Sequence, residues 1–243
     1  IWIMKFGSIT TPIVTDGLVF NMDAANRAST IPSTSTLKTF NTIDTTISGS
    51  VITDSTWTDS TISPSFNFDG SDGYIDFSDN DIFSFGNSTT DSPFSISCWA
   101  YCVDATRFRT LSKATEWLHG GFGSNKLGLL LMDNNASNYI YRISNATISQ
   151  NVWVNLVSTY NGSGANTGIK LYINGSEDSG TTGNAGSYTA MHNNSSILYV
   201  GRDSDFGNYF ANGNIGSAQI YNRALSSTEV LHNYNALRDR FGV

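Results

Sequence analysis

Helical periodicity is confined to the last stretch of the chain, residues 214–243, and this restriction does more than any other feature to limit the possible folds. Within that stretch, Ser226 stands three residues before Glu229, which is the spacing of a capping box. Apolar residues then recur at helical spacing and form one stripe: Val230, Leu231, Tyr234, Leu237 and Phe241. The pattern predicts one C-terminal helix over residues 226–241, with strands and turns upstream of it.

Upstream of the predicted helix, short stretches of alternating side chains are separated by turn residues. In residues 94–103 both alternating sets are largely apolar, which predicts a central strand covered on both faces. Asn174 and Gly175 form the strongest short hairpin signal. The remaining predicted strands cover residues 18–23, 51–53, 65–70, 74–77, 109–112, 127–132, 139–143, 152–160, 169–173, 197–201 and 215–221. We therefore predict an all-β fold, an antiparallel β-sandwich with one short C-terminal helix, as a single domain over residues 1–243 with an N-terminal arm at residues 1–15.

Composition and charge argue against two classes of partner. Only 14% of the residues are charged, the formal net charge is −7, and the basic residues form no cluster, so we expect no nucleic-acid partner. No apolar run approaches the length of a membrane span, so we expect no membrane partner either. Cys98 and Cys102 would lie about 13 Å apart on a strand, which is too far for a disulfide bond. We expect them to be small buried apolar side chains.

Seven stretches of the chain, in order, resemble the concanavalin A-like, laminin-G-like jelly-roll domains. They are DGLVFNMDAAN (16–26), FNFDGSDGYIDF (66–77), PFSISCWAY (93–101), NVWVNLVSTYNG (151–162), IKLYINGSE (169–177), LYVGRD (198–203) and GNIGSAQIYNRALSSTEVLHNYNALRDRFG (213–242). The final stretch is the most specific, and its form is similar to laminin-G-like domains in structural proteins of tailed bacteriophages. Residues 27–65 match poorly. The resemblance implies a concanavalin A-like jelly roll in which the first and last strands, 18–23 and 215–221, lie side by side.

The resemblance also implies a function and a location. We expect a non-catalytic structural or decoration protein on the surface of a bacteriophage virion. Its partners would be other copies of itself in a homo-oligomer, other virion proteins, and host-surface glycans. A secreted or surface lectin or carbohydrate-binding module is the alternative, and a diverged polysaccharide-active enzyme is a third interpretation.

No group of residues matches a known catalytic pattern. Retaining glycoside hydrolysis requires two carboxyl groups about 5 Å apart. The three glutamates stand in unrelated contexts, namely a loop, the end of a hairpin turn and the capping box: Glu116, Glu177 and Glu229. The three histidines are isolated from one another and are predicted at the surface: His119, His192 and His232. We therefore expect no catalytic residues.

Aspartates crowd the turn after residue 68 and form a second short group after Gly201. Carboxylate and carbonyl oxygens are the ligands that calcium takes in proteins, and the resemblance implies relatives that hold a structural calcium ion. The predicted metal ligands are Asp23, Asp69, Asp72 and Asp203. The alternative that these aspartates only form turns and caps stays open.

Aromatic residues in loops are the predicted glycan-binding residues, because a ring presents a flat apolar face to a sugar. The predicted ligand-binding residues are Trp57, Trp117, Tyr209 and Phe210, with Phe122 and Tyr188 as further candidates. The alternative is that such rings fold back over the core or pack against a partner subunit. Trp99 and Trp153 are predicted in the core.

Overall fold

The computed structural model describes residues 12–26, 28–31, 38–52, 55–58 and 63–243. Most of the predicted N-terminal arm and residue 53 of a predicted strand lie outside these ranges. The first nine strands are β1 (Leu18–Asp23), β2 (Thr30–Ile31), β3 (Lys38–Phe40), β4 (Ser48–Ile52), β5 (Thr56–Thr58), β6 (Ser65–Asp69), β7 (Tyr74–Phe77), β8 (Phe94–Asp104) and β9 (Arg109–Lys113). The next nine are β10 (Trp117–Phe122), β11 (Lys126–Met132), β12 (Tyr139–Thr147), β13 (Trp153–Tyr160), β14 (Ile169–Ile173), β15 (Ser176–Asp178), β16 (Thr181–Ala185), β17 (Leu198–Val200) and β18 (Asn212–Tyr221). The helix α1 spans Ser227–Leu237, and short 3-10 turns cover Asp81–Phe83, Asn166–Gly168 and Arg238–Phe241.

Two antiparallel sheets pack face to face and confirm the predicted sandwich. The eight-stranded sheet has the order β15-β14-β13-β8-β18-β6-β5, and β1 pairs with β18 beside this path. The ten-stranded sheet has the order β16-β12-β11-β10-β9-β17-β7-β4-β3-β2. The turn between β6 and β7 carries the chain from the first sheet to the second. One large cluster of buried apolar side chains fills the space between the sheets.

Strand β8 has the predicted central position, since it pairs with β13 on one side and with β18 on the other. Cys98 and Cys102 belong to the core cluster and are free and fully buried, as predicted. Trp99 belongs to a separate cluster on the outer face of the sheet, where Trp153 and Phe241 cover it. Both faces of β8 are therefore buried, which explains why both of its alternating sets are apolar.

The first and last strands lie side by side, as the resemblance implied. Strand β1 pairs with β18 in the register Phe20↔Ile220 to Asp23↔Ser217. Strand β18 also pairs with β8 and with β6. The last strand of the chain therefore lies inside the eight-stranded sheet.

The C-terminal helix begins with the predicted capping box. The Glu229 N–H donates to Ser226 Oγ, and the Ser226 N–H donates to the Glu229 carboxylate at 2.8 Å. The predicted apolar stripe is wrong at Leu231, which is 47% exposed. Asn233 lies on the buried face because it is three residues beyond Val230, and it donates a hydrogen bond to the Tyr221 hydroxyl. None of the helices in the described ranges is long and apolar enough to cross a bilayer.

The sequence prediction misses β10 because Gly120 and Gly121 interrupt its alternation. A Cβ atom on Gly120 would collide with the carbonyl oxygen of Phe108, and one on Gly121 would collide with that of Ala105. Strand β10 passes so close to the loop between β8 and β9 that only glycine fits at these two positions. The two glycines belong to the strand and do not form a turn.

Arg240 joins the C-terminal segment to the first strand. Its two terminal guanidinium nitrogens each donate to a carboxylate oxygen of Asp23, both at 2.7 Å, and its Nε donates to Ser63 Oγ at 3.0 Å. The Arg240 and Asp23 side chains are only 24% and 18% exposed. A bidentate ion pair with this burial is stronger than an exposed pair.

Arg240→Gln is expected to lower the free energy of unfolding by about 1–3 kcal/mol, because it removes two charge-assisted hydrogen bonds. Denaturant unfolding measures the change, and a double-mutant cycle with Asp23→Asn isolates the pair. Arg238→Gln is the matched control, since the Arg238 side chain is half exposed and lies 3.7 Å from the Asp239 carboxylate. Strictly additive effects in the Asp23–Arg240 cycle would contradict direct coupling.

Candidate functional site

The outward face of the ten-stranded sheet carries a second apolar cluster. Side chains alternate along β11, so Leu129 and Leu131 enter the core while Leu130 and Met132 point the other way. Leu118 of β10 is buried beside Leu130 and Met132. Four partly buried rings pack against this cluster: Phe122, Tyr139, Tyr141 and Phe206.

A groove of about 390 Å³, here called the aromatic groove, opens at this cluster. Its lining residues are Arg107, Arg109, Phe122, Gly123, Leu130, Tyr139, Tyr141, Ile143, Phe206 and Tyr209. The Tyr139 ring lies 6.1 Å from that of Phe206, edge to face, and 6.0 Å from that of Tyr141. The groove therefore combines an apolar floor with five rings and two guanidinium groups.

Two glycines leave room for rings against the sheet. A Cβ atom on Gly128 of β11 would lie 2.5 Å from the Phe122 ring. A Cβ atom on Gly183 of β16 would overlap the ring of Tyr141. Because both positions lack a side chain, each ring lies directly over the neighbouring strand and forms part of the groove wall.

Arg109 and Asp203 form a buried ion pair at the base of the aromatic groove. Arg109 Nε donates to Asp203 Oδ2 at 2.5 Å, and a terminal nitrogen of Arg109 donates to the Gly121 carbonyl. Burial lowers the pKa of the Arg109 guanidinium, and the Asp203 carboxylate opposes that shift. Asp203 also accepts the Phe206 N–H at 3.1 Å, and its own N–H donates to the Tyr209 carbonyl at 3.0 Å. One aspartate therefore fixes the loop that carries two of the groove's rings.

Arg107 lies at the boundary between the aromatic groove and a second cavity. Its guanidinium carbon is 3.9 Å from the centre of the Tyr209 ring, which is a cation–π contact. The second cavity has a volume of about 360 Å³ and is lined by Gly70, Ser71, Asp104, Arg107, Asn208, Tyr209, Phe210 and Asn212. Arg107 and Tyr209 line both cavities, so an aromatic groove and a polar cavity lie on either side of this stacked pair.

The structure separates the four predicted ligand-binding aromatics. Tyr209 lines the aromatic groove, and Phe210 lines the second cavity, where its ring centre is 6.2 Å from that of Tyr74. The prediction that Trp117 lies in a loop is wrong, since it belongs to β10 and is 0% exposed in the core. Trp57 lies on the edge strand β5 of the other sheet, and its Nε1 donates to the Ala24 carbonyl at 2.9 Å.

The predicted metal ligands do not form one site. Asp23 pairs with Arg240, and Asp203 pairs with Arg109. Asp69 accepts the backbone N–H groups of the turn residues Ser71, Asp72 and Gly73, as the turn-forming alternative predicted. Within the described ranges, no group of three or more His, Cys, Asp or Glu side chains is placed to hold a metal ion. These carboxylates therefore do not fit a shared calcium site, and calcium binding stays a prediction.

The three glutamates lie in separate parts of the fold and each pairs with a different cation. The pairs are Glu116–Lys113 at 2.6 Å, Glu177–Lys170 at 3.2 Å and Glu229–Arg223 at 2.6 Å. Glu116 lies in the predicted loop but is fully buried, and burial raises the pKa of its carboxyl although Lys113 opposes the shift.

Of the five rings that line the groove, the sequence analysis names Tyr209 and Phe122 as candidates and misses Tyr139, Tyr141 and Phe206. Tyr139 and Tyr141 alternate with Ile140 along β12, so a period-two pattern already placed both rings on one face. Phe206 carried no such signal, because its position depends on the bond between its loop and Asp203.

A jelly-roll sandwich with an aromatic groove on one sheet has the architecture of a lectin-like domain. The chain belongs to the concanavalin A-like lectin/glucanases superfamily, whose laminin-G-type model matches residues 69–231. This match confirms the predicted family and fold.

Solved structures with the same fold include two toxin domains and one enzyme module. The binding domain of Paraclostridial Mosquitocidal Protein 1 has a TM-score of 0.62 at 18% identity, over 90% of this chain and 52% of that one. Domain 4 of AbnA, a GH43 extracellular arabinanase from Geobacillus stearothermophilus, was solved with arabinotriose. It has a TM-score of 0.60 at 18% identity, over 89% of this chain and 98% of that one. The binding domain of Botulinum neurotoxin DC, solved with rat synaptotagmin II, has a TM-score of 0.60 at 17% identity, over 91% and 52%. The chain thus spans about half of each toxin domain, and these likenesses show the fold alone. No curated protein matches the chain in sequence.

The prediction that His119 lies at the surface is wrong, because the residue belongs to β10 and faces the core. Its Nδ1 is hydrogen-bonded to Thr110 Oγ1 at 2.5 Å, and burial lowers the pKa of the imidazole from 6.5 to about 3. Below pH 6.5 the unfolded chain therefore binds a proton that the folded chain binds only near pH 3. The stability that neutral His119 contributes is complete above pH 6.5 and is lost as the pH falls toward 3.

In His119→Gln, the free energy of unfolding is expected to fall less steeply as the pH decreases below 6.5. The difference in slope from the unsubstituted protein is up to about 1.4 kcal/mol for each pH unit. Denaturant unfolding at a series of pH values from neutrality downward measures the slope. His232→Gln is the matched control, because it removes an exposed histidine on α1 and leaves the buried His119 in place. Equal slopes for His119→Gln and the unsubstituted protein would rule out this account.

Proposed function

We propose that this chain is a carbohydrate-binding domain whose ligand lies in the aromatic groove. The observation that carries the proposal is the wall of five rings above a buried apolar floor: Phe122, Tyr139, Tyr141, Phe206 and Tyr209. Sugar rings have apolar C–H faces that stack on aromatic rings. Binding sites of this kind are mostly apolar and contain a few polar groups that fix orientation. Tyrosine hydroxyls and the exposed guanidinium group of Arg107 are the polar groups available here, because Arg109 is buried against Asp203.

The lining of the aromatic groove supports binding without turnover. None of its lining residues carries a carboxyl or imidazole group. Glycoside hydrolysis requires a pair of carboxyl groups at the scissile bond, and the nearby Asp203 carboxylate is bonded to Arg109 and to the loop backbone. We therefore propose a non-catalytic module. The AbnA domain solved with arabinotriose gives a precedent for this fold holding an oligosaccharide.

We further propose that the domain works on the surface of a bacteriophage virion, as a structural or decoration protein that contacts host glycans. The support is the resemblance of residues 213–242 to laminin-G-like domains of tailed-phage structural proteins. A free-standing secreted lectin would use the same groove, so the two locations differ in assembly and not in the binding site.

Tyr139→Ala and Phe206→Ala are each expected to weaken glycan binding about tenfold, equivalent to ~1.4 kcal/mol, because each removes one ring of the groove wall. The measurement is isothermal titration with the strongest ligand from an array of neutral and acidic glycans, after thermal unfolding has shown that each variant is folded. Trp57→Ala is the comparison, since it removes a predicted binding ring from the other sheet. Loss of binding in Trp57→Ala alone would overturn the assignment to the groove.

A virion structural protein is expected to form a defined homo-oligomer, so sedimentation of the full chain should give a multiple of its 26.3 kDa mass. The same run with a chelator tests the calcium prediction, because an oligomer that depends on calcium dissociates when calcium is removed. A stable monomer under both conditions would contradict the assembly and favour the secreted lectin.

A further inference from the structure

The charges that line the aromatic groove all have one sign. Arg107 and Arg109 contribute two guanidinium groups, and no lining residue contributes a carboxylate. The chain as a whole has a formal net charge of −7. Asp203 offsets the charge of Arg109, so the positive charge left in the groove is that of Arg107, and it is opposite in sign to the net charge of the molecule. We propose that the glycan bound here is acidic and that Arg107 binds its carboxylate or sulfate group, an inference that rests on the proposed function.

The two arginines have different environments. Arg109 is 4% exposed, and Asp203 neutralises it from below. Arg107 is exposed, contacts the Tyr209 ring, and makes no salt bridge to a carboxylate in the described part of the chain. Burial lowers the pKa of the Arg109 guanidinium, and the positive charge of Arg107 lowers it further. The two cations are therefore near enough to repel each other. An oxyanion bound at Arg107 would relieve that repulsion.

The polar cavity beside the groove limits where the anion binds. Asp104 lines that cavity, and its carboxylate accepts the Thr106 N–H at 2.8 Å. Asp104 would repel an acidic sugar there, whereas the aromatic side of Arg107 has no acidic lining residue. The geometry therefore favours an acidic sugar in the aromatic groove, with neutral parts of the glycan along the polar cavity. A guanidinium suits this role because its planar fork donates two parallel hydrogen bonds to a carboxylate or sulfate.

The experiment compares polymers that differ only in charge. The carboxylate arm uses polygalacturonate and its carboxyl-reduced form, and the sulfate arm uses dextran sulfate and dextran, each titrated with the full chain. At least one acidic polymer is expected to bind at least about tenfold more tightly than its neutral partner. Rising salt should weaken that binding and leave binding of a neutral glycan unchanged. Arg107→Gln is expected to remove the preference, whereas Arg238→Gln, on the exposed end of the C-terminal segment, keeps it.

The outcomes separate the two proposals. Neutral glycans that bind as tightly as acidic ones, with loss of binding in Tyr139→Ala, would overturn the acidic preference and leave the glycan-binding function intact. Binding to neither polymer pair nor to any glycan on the array would overturn both. Tight binding of an acidic polymer that persists unchanged in Arg107→Gln would show charge attraction elsewhere on the surface and would overturn the role of Arg107.

Discussion

The position of β18 inside the eight-stranded sheet is the constraint on which the rest of the structure depends. This strand comes almost last in the chain, yet it pairs with β8, with β6 and with the first strand β1. The sheet is complete only when segments about two hundred residues apart have met, and non-local pairing of this kind is typical of folds that form more slowly than those built from local contacts. The bond from Arg240 to Asp23 and the stack of Phe241 on Trp99, with ring centres 4.4 Å apart, then fix the end of the chain against that sheet.

The aromatic groove follows from a sheet that is apolar on both faces. One face of β10 and β11 fills the core, and the other carries Leu118, Leu130 and Met132, which are buried under the surrounding rings. Removing both Arg109 and Asp203 from water costs free energy, and a buried pair of this kind is weak evidence for stability. Its value here is positional, because Asp203 ties the loop that carries Phe206 and Tyr209 to the sheet. The buried charges thus order one wall of the site.

Local patterns predicted the sandwich, the central strand and the capped helix, because alternation and helical spacing report directly on which face is buried. They failed where tertiary packing overrides local preference. The pair Gly120-Gly121 hides β10, so the sequence pattern predicts a loop at Trp117 and His119, although both are buried residues of that strand. Local patterns could not predict the groove, because its lining residues come from β9 to β12 with their connecting loops and from a loop about sixty residues later in the chain. Only Tyr209 among the four predicted aromatic ligands lines it.

Both described ends of the chain lie against the same side of the molecule. The Val14 N–H donates to Asn233 on α1 at 2.8 Å, and the Pro12 carbonyl contacts His232 at 2.9 Å, while α1 itself covers the outer face of the eight-stranded sheet. The aromatic groove opens on the outer face of the opposite sheet. A surface that bound the molecule on the α1 side would therefore leave the groove facing away from it. Copies fixed to one surface in this way would present their grooves in parallel, and the single contacts of the proposed glycan binding would then combine into avidity for a repetitive polymer.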